Sequence, residues 1–271
     1  METVLARIDE WGAANAAVAV VGMDGIQARH GDVDRSVRWA SVTKPVTALV
    51  VLAAVERGLI DLDEPAGPPG ATIRHLLAHA SGLPFEEGPV LAAPGRRRIY
   101  SNPGFDALGA LVAERNGRPF EALLREWVIE PLRMTATRLV GRPSEGLDGP
   151  LVDLAAFARE CLRPTLISPA TFKSAVTVAF PGLAGVVPGV GRYDECDWGL
   201  GFELHAGKTP HWMGERNSPA TFGHFGGAGS FLWVDPAVDT ALVVLTDREY
   251  GPWALDVWPA LSDEVLRALG R

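Results

Sequence analysis

The chain has 271 residues, 47% of them hydrophobic and 21% charged, which suffices for a sizeable core in one large domain or two lobes and excludes global disorder. Its formal net charge of −8, from 25 basic and 33 acidic side chains, argues against nucleic acid as the main partner. Two cysteines, Cys161 and Cys196, are too few for a disulfide framework; they read as reduced, with a bridge between them left open.

Val4, Leu5, Ile8 and Trp11 recur at helical spacing and predict an amphipathic helix near residues 2–14. Glu2, Asp9 and Glu10 give this start the wrong charge for a secretory leader, and the apolar run 13–22 is too short to span a bilayer. The expected location is therefore cytoplasmic, without membrane association. Residues 17–21 and 25–29 read as a hairpin turning at Met23-Asp24-Gly25. Trp39 and Ala40 then lead into an apolar helix that begins at Ser41, tolerates Pro45 in its first turn and stops at Gly58.

Residues 61–100 are rich in turn signals, interrupted by a short helix at 73–79. Further helical patterns cover 102–116, with Pro103 in the first turn, then 120–128, 151–162 and 169–176. The last third turns strand-like at 198–204, 230–235 and 240–246, and a helix at 253–269 closes the chain. Helix and hairpin, helical middle, antiparallel strands and final helix together predict an α+β fold. One lobe combines residues 1–60 and 196–271 around an antiparallel sheet, and residues 61–195 form a mostly helical lobe.

The chemistry points first to Ser41-Val42-Thr43-Lys44. A serine hydroxyl needs a nearby base to become a nucleophile at neutral pH, and residues i and i+3 share one helix face. Ser41 as a helix cap with a solvated Lys44 is the bland reading of the same spacing. Tyr100-Ser101-Asn102 adds a phenol that can move a proton and an amide that both donates and accepts. Taken alone, Tyr100 is a half-buried loop aromatic and Asn102 a cap. His224-Phe225-Gly226-Gly227 stands before a predicted strand, where glycines let a substrate approach the backbone.

With these three motifs in this order, the chain resembles the serine β-lactamase and penicillin-binding-protein superfamily, nearest its class C β-lactamase and family VIII carboxylesterase branch. That branch carries S-x-x-K, Y-x-N, and K-T-G or H-x-G. The stretches Thr72 to His79, Ser81-Gly82-Leu83-Pro84, Trp198-Gly199-Leu200-Gly201 and Phe231 to Pro236 look familiar beside them. The likeness is weakest between residues 140 and 195. It implies a β-lactamase/transpeptidase-like fold, Ser41 as the group acylated by a small-molecule substrate, and Lys44 and Tyr100 sharing the acid–base work. It further implies Asn102 at the substrate side chain or behind Lys44, Gly226 in the third motif, and an oxyanion hole from the N–H groups of Ser41 and Gly227. No cofactor and no metal are implied.

Moving a lysine from about 10.4 to about 7 costs on the order of 4.5 kcal/mol, so a tyrosinate beside a charged Lys44 is the cheaper expectation. His224 replaces the lysine of the K-T-G form. A neutral imidazole offers about 1 kcal/mol where a charged partner offers about 1.5–3, so weak capture of carboxylates and better use of uncharged esters are expected.

Other features read as structural. His75 and His79 are spaced i, i+4 without the glutamate or third ligand of a zinc site. Arg96-Arg97-Arg98 reads as a solvated or locally paired loop. The glycines of 223–229 precede a strand, not a phosphate-cradling helix, and no G-x-S-x-G elbow occurs. The leading expectation is a serine hydrolase of ester, amide or β-lactam carbonyls. The alternative is an idle or penicillin-binding relative without efficient turnover; a D-amino-acid peptidase or transferase comes third. Loops near 86–98 and 178–197 are expected to set specificity. The oligomeric state stays open, with a monomer favoured.

Overall fold

The structure, a computed structural model, describes residues 1–270. Its centre is a six-stranded antiparallel sheet in the spatial order Gly25–Gly31, Ala16–Gly22, Thr240–Thr246, Ser230–Asp235, Phe222–Gly226 and Glu203–Leu204. The first hairpin thus meets the C-terminal strands through Ala16–Gly22, whose Val18 faces Val244 and whose Val20 faces Leu242. Strand alternation divides the side chains between two cores. Ala17, Ala19, Val21, Leu232, Val234 and Val243 point into the larger core, with helices Thr43–Glu56 and Leu151–Leu162. Val18, Val20, Phe231, Trp233 and Val244 point the other way, onto Leu5, Ile8, Trp258, Leu261 and Val265 of the terminal helices. With both faces covered, these strands read in the sequence as apolar runs without a polar face.

The α+β architecture expected from the sequence is the one observed. Helix Asn102–Asn116 starts on Ser101, whose hydroxyl accepts from Gly104 N–H at 3.2 Å, and ends at left-handed Gly117. Three expectations differ in detail. The N-terminal helix is α only over Glu2–Leu5 and tightens to a 3₁₀ helix over Ala6–Glu10. Leu5, Ile8 and Trp11 are three residues apart, and three residues per turn keep them on one face. Ser41 lies in a 3₁₀ turn, Ala40–Val42, and the α-helix proper begins at Thr43. His224, Phe225 and Gly226 precede strand Ser230–Asp235 as expected, but they also form the end of a strand of their own, Phe222–Gly226.

Arg98 departs most from its reading as part of a solvated cluster: it is 2% exposed. Its guanidinium donates to the carbonyls of Ala78 at 2.5 Å, Ala179 at 2.8 Å, Cys196 at 2.9 Å and Phe180 at 3.2 Å. Burial lowers its pKa to about 10. Strand Arg98–Ile99 pairs in parallel with Gly185–Val187, so this side chain ties the segment leading to Tyr100 to the loop beyond residue 178. Both cysteines are buried and free. Among the described residues no helix is long and apolar enough to cross a membrane.

Candidate active site

The first two motifs sit at the starts of two helices, and the third at the end of a sheet strand. Ala40 has φ +45°, an uncommon conformation for a residue with a side chain, costing about 1–2 kcal/mol. That turn presents Ser41 half-buried at the cleft, while Lys44, one helical turn on, is fully buried. Trp39 anchors the turn from behind: its indole N–H donates to Gly149 O at 3.0 Å, and its carbonyl accepts from the Ser230 hydroxyl at 2.7 Å. Gly226 presses on the same turn. A Cβ at 226 would stand 2.3 Å from Trp39 O and 3.1 Å from Ser41 N, so the strand comes this close only with glycine there.

Lys44 Nζ donates to Asn102 Oδ1 at 2.6 Å, to Ser144 O at 3.0 Å and to Ser41 Oγ at 3.2 Å. It also lies 4.6 Å from the centre of the Tyr100 ring. All three acceptors are uncharged. Burial therefore dominates and lowers the lysine from 10.5 to about 7, although Glu145, Asp106 and Glu86 pull it back up. Tyr100 is buried too, and burial raises its phenol well above the ordinary tyrosine value, against a hydrogen bond with Ser41. The tyrosinate expected as the cheaper form is thus the disfavoured one: burial penalises both charges, keeping the phenol neutral and bringing the amine to about half neutral near pH 7.

His224 Nδ1–H donates to Phe225 O at 2.6 Å, which turns the Nε2 lone pair toward the Tyr100 hydroxyl at 3.5 Å. Burial first, and the Lys44 charge second, lower this imidazole to about 3. It is neutral at any physiological pH. Of the strand carrying it, only Phe222 and Gly223 pair with Glu203–Leu204, so the edge from His224 to Gly226 is open on that side.

Two cavities meet at the nucleophile, and Ser41 and Gly227 line both. One, of about 230 Å³, is walled by Phe85, Tyr100, Val187, Pro188, Trp198, Phe225 and Tyr250. The other, of about 470 Å³, carries Glu145, Asp148, Asp247 and Glu249 against a single cation, Arg38. A Cβ on Gly227 would meet nothing within 4 Å, so its backbone faces open space between them.

Ser41, Lys44, Tyr100, Asn102, His224, Gly226 and Gly227 therefore come together in one cleft. His75 and His79 serve the scaffold. His75 accepts from the Thr72 N–H at 3.3 Å in a capping arrangement, and its ring stacks on Phe180 at 4.3 Å. His79 Nδ1 accepts from Ser101 N–H at 3.1 Å, holding the Tyr100–Asn102 segment. Residues missed in the sequence are Ser144, whose carbonyl carries no signature, and Glu86, which accepts from Asn102 Nδ2 at 2.7 Å. The loop at 178–197 does contribute Val187 and Pro188 to the apolar cavity.

The Beta-lactamase family model matches residues 6–267. The fold superposes on the crystal structure of a beta-lactamase, Mb2281c, from Mycobacterium bovis with a TM-score of 0.96 and 51% sequence identity, covering 98% of this chain and 99% of that one. The chain is 28% identical over 185 residues to the D-alanyl-D-alanine-carboxypeptidase/endopeptidase AmpH of Escherichia coli (strain K12), covering 50% of this chain and 48% of that protein. It is likewise 28% identical over 200 residues to Esterase EstB of Burkholderia gladioli, covering 49% and 51%. This chain spans about half the length of these curated relatives. Since the family model runs through all three motif segments and nearly end to end, the chain belongs to the Beta-lactamase family.

Proposed function

We propose that this protein is a serine hydrolase that works through an acyl-enzyme on Ser41 and favours small uncharged esters. The observation that carries the reading is Lys44: a fully buried amine, lowered to about 7, bonded to the hydroxyl of Ser41. A base of that pKa is half neutral at physiological pH and strong enough to take the Ser41 proton. Ser41 Oγ then attacks the carbonyl carbon, and the N–H groups of Ser41 and Gly227 receive the developing oxyanion, each worth about 3 kcal/mol. Tyr100, kept neutral by burial, gives its proton to the leaving oxygen and recovers one from Lys44. Water enters by the reverse sequence and releases the acid.

Two features support uncharged substrates. Neutral His224 holds no permanent charge for a carboxylate. The cavity on the other flank of Ser41 carries Asp148, Asp247, Glu249 and an Arg142-paired Glu145 against Arg38, an acidic balance that repels anionic groups. The aromatic cavity suits an apolar group of modest size.

The test is labelling by fluorophosphonate and fluorescent penicillin probes, with Ser41→Ala as control, followed by turnover of a short-chain p-nitrophenyl ester and of nitrocefin. The expected result is labelling that Ser41→Ala abolishes, and faster turnover of the ester. Faster turnover of nitrocefin overturns the substrate assignment, and no labelling by either probe supports an idle relative.

A further inference from the structure

Lys44 acts as a base only if a lone pair, and not an N–H, faces Ser41. A neutral amine offers two N–H donors and one lone pair. Of the three oxygens around Nζ, Asn102 Oδ1 and Ser144 O accept only, whereas the Ser41 hydroxyl can donate. The two pure acceptors therefore take the two N–H groups and leave the lone pair to Ser41. The arrangement holds while Asn102 turns its oxygen, not its NH₂, toward the lysine.

What fixes that amide lies on its far side. Asn102 Nδ2 donates to Glu86 Oε1 at 2.7 Å, and an ionised carboxylate, having no proton, cannot pair with the flipped amide. The Ser144 peptide is held in a parallel way: its N–H donates to Asp106 Oδ1 at 3.1 Å while its carbonyl faces Lys44. Arg142 reaches both acids, Glu86 Oε2 and Asp106 Oδ2 each at 3.4 Å, and Glu145 at 2.7 Å. The Glu86 side chain is 50% exposed and that of Arg142 43%, so these ion pairs add little stability in themselves. Their geometric consequence is larger than their energy.

We propose that Glu86, Asp106 and Arg142 form an outer ring that orients the two acceptors of Lys44, with Glu86 as the positioning residue that locks the Asn102 amide. The inference rests on the acyl-enzyme reading above and adds residues 42, 62 and 98 positions beyond Lys44 in the chain. The charged groups around Lys44 are Glu86, Asp106, Glu145 and Arg142, with Tyr100, His79 and His224 facing it as buried neutral groups. Taking away the Glu86 charge therefore removes one influence that raises the lysine.

The experiment compares the wild-type protein with Glu86→Gln, Glu86→Asp and Arg142→Gln. It measures single-turnover labelling by a fluorophosphonate against pH, alongside the melting temperature. Glu86→Gln frees the amide to turn, and the lost charge-assisted hydrogen bond corresponds to about tenfold slower labelling. Its melting temperature is expected to stay at the wild-type value, and the midpoint of its pH profile to move to lower pH. Glu86→Asp keeps the charge and recovers part of the rate with the midpoint near that of wild type. A merely structural loop contact lowers the melting temperature and leaves the midpoint in place. Labelling of Glu86→Gln within about twofold of wild type, with an unmoved midpoint, overturns the assignment; so does an unimpaired Arg142→Gln should Glu86→Gln prove unfolded. Wild-type protein that resists labelling at Ser41 overturns the acyl-enzyme reading instead, which keeps the two failures apart.

Discussion

Lys44 and Lys208 are both taken out of water, at 0% and 7% exposure, yet one stands among neutral oxygens and the other against a carboxylate. Lys208 Nζ lies 2.7 Å from Glu203 Oε1, and the other carboxylate oxygen accepts from Trp212 Nε1–H at 2.8 Å. His211 approaches the same group at 3.3 Å. Burial alone pushes the Glu203 carboxyl up, but Lys208 and His211 together outweigh it and hold the group well below the usual carboxylate range. Glu203 therefore stays ionised, and its contact with Lys208 ties down the strand that adjoins Phe222–Gly226. Lys44 has no carboxylate in contact, so burial strips its proton near neutrality. Burial by itself does not make a lysine reactive; burial without a counter-ion does.

Four measurements test this contrast. Lys44→Met should slow fluorophosphonate labelling by about 10³-fold, the scale of a lost general base, without loss of the fold as judged by circular dichroism. Retained labelling would mean that another group takes the Ser41 proton. Lys208→Met should do the opposite: it leaves the buried Glu203 carboxylate without its lysine, which costs about 3–5 kcal/mol in urea unfolding, while the folded fraction still labels at Ser41. A loss of rate in place of stability would erase the distinction between the two lysines.

The third measurement is pH dependence. Labelling should rise with a midpoint near pH 7 as Lys44 loses its proton and fall about tenfold per unit below that. Stability carries the same signature. The folded lysine, at about 7, lies below the 10.5 of an exposed one, so the unfolded chain binds more protons between those values. Stability should therefore rise with pH across that window, and Lys44→Met should flatten the rise in urea titrations. Glu203 works on the acid side: its folded pKa is depressed, so its contribution is present above the unfolded carboxylate range and is lost as pH falls below it.

The smallest expected effect is at the third motif. His224→Lys should improve the ratio of carboxylate-bearing to uncharged substrates by about tenfold, the difference between a charged and a neutral hydrogen bond. Competition kinetics with nitrocefin and a p-nitrophenyl ester would report it. An unchanged ratio would shift the cause of selectivity to the acidic cavity.

Much of the site was legible because its signals are local. Ser41 and Lys44 are three apart at a helix start, Tyr100 and Asn102 flank a helix cap, and Gly226 is required where a strand meets the nucleophile turn. The strands at 230–235 and 240–246 and the helices at 102–116 and 151–162 were equally plain from their apolar runs and punctuation. Arg98 was misread because its solvated look comes from two arginine neighbours, whereas its carbonyl partners lie 20 residues before it and 81 to 98 after it. Glu86, Asp106, Arg142 and Ser144 were not singled out, since a charged side chain on a loop or a helix and a backbone carbonyl look alike everywhere in a sequence.

Which groups could do chemistry, and which elements would carry them, follows from local sequence, because spacing, capping and apolar periodicity act over a few residues. Protonation states are set by long-range packing. Whether Lys44 is a charged surface group or a base near neutrality depends on how residues 58 and 100 positions away seal it from water and offer it oxygens without a charge.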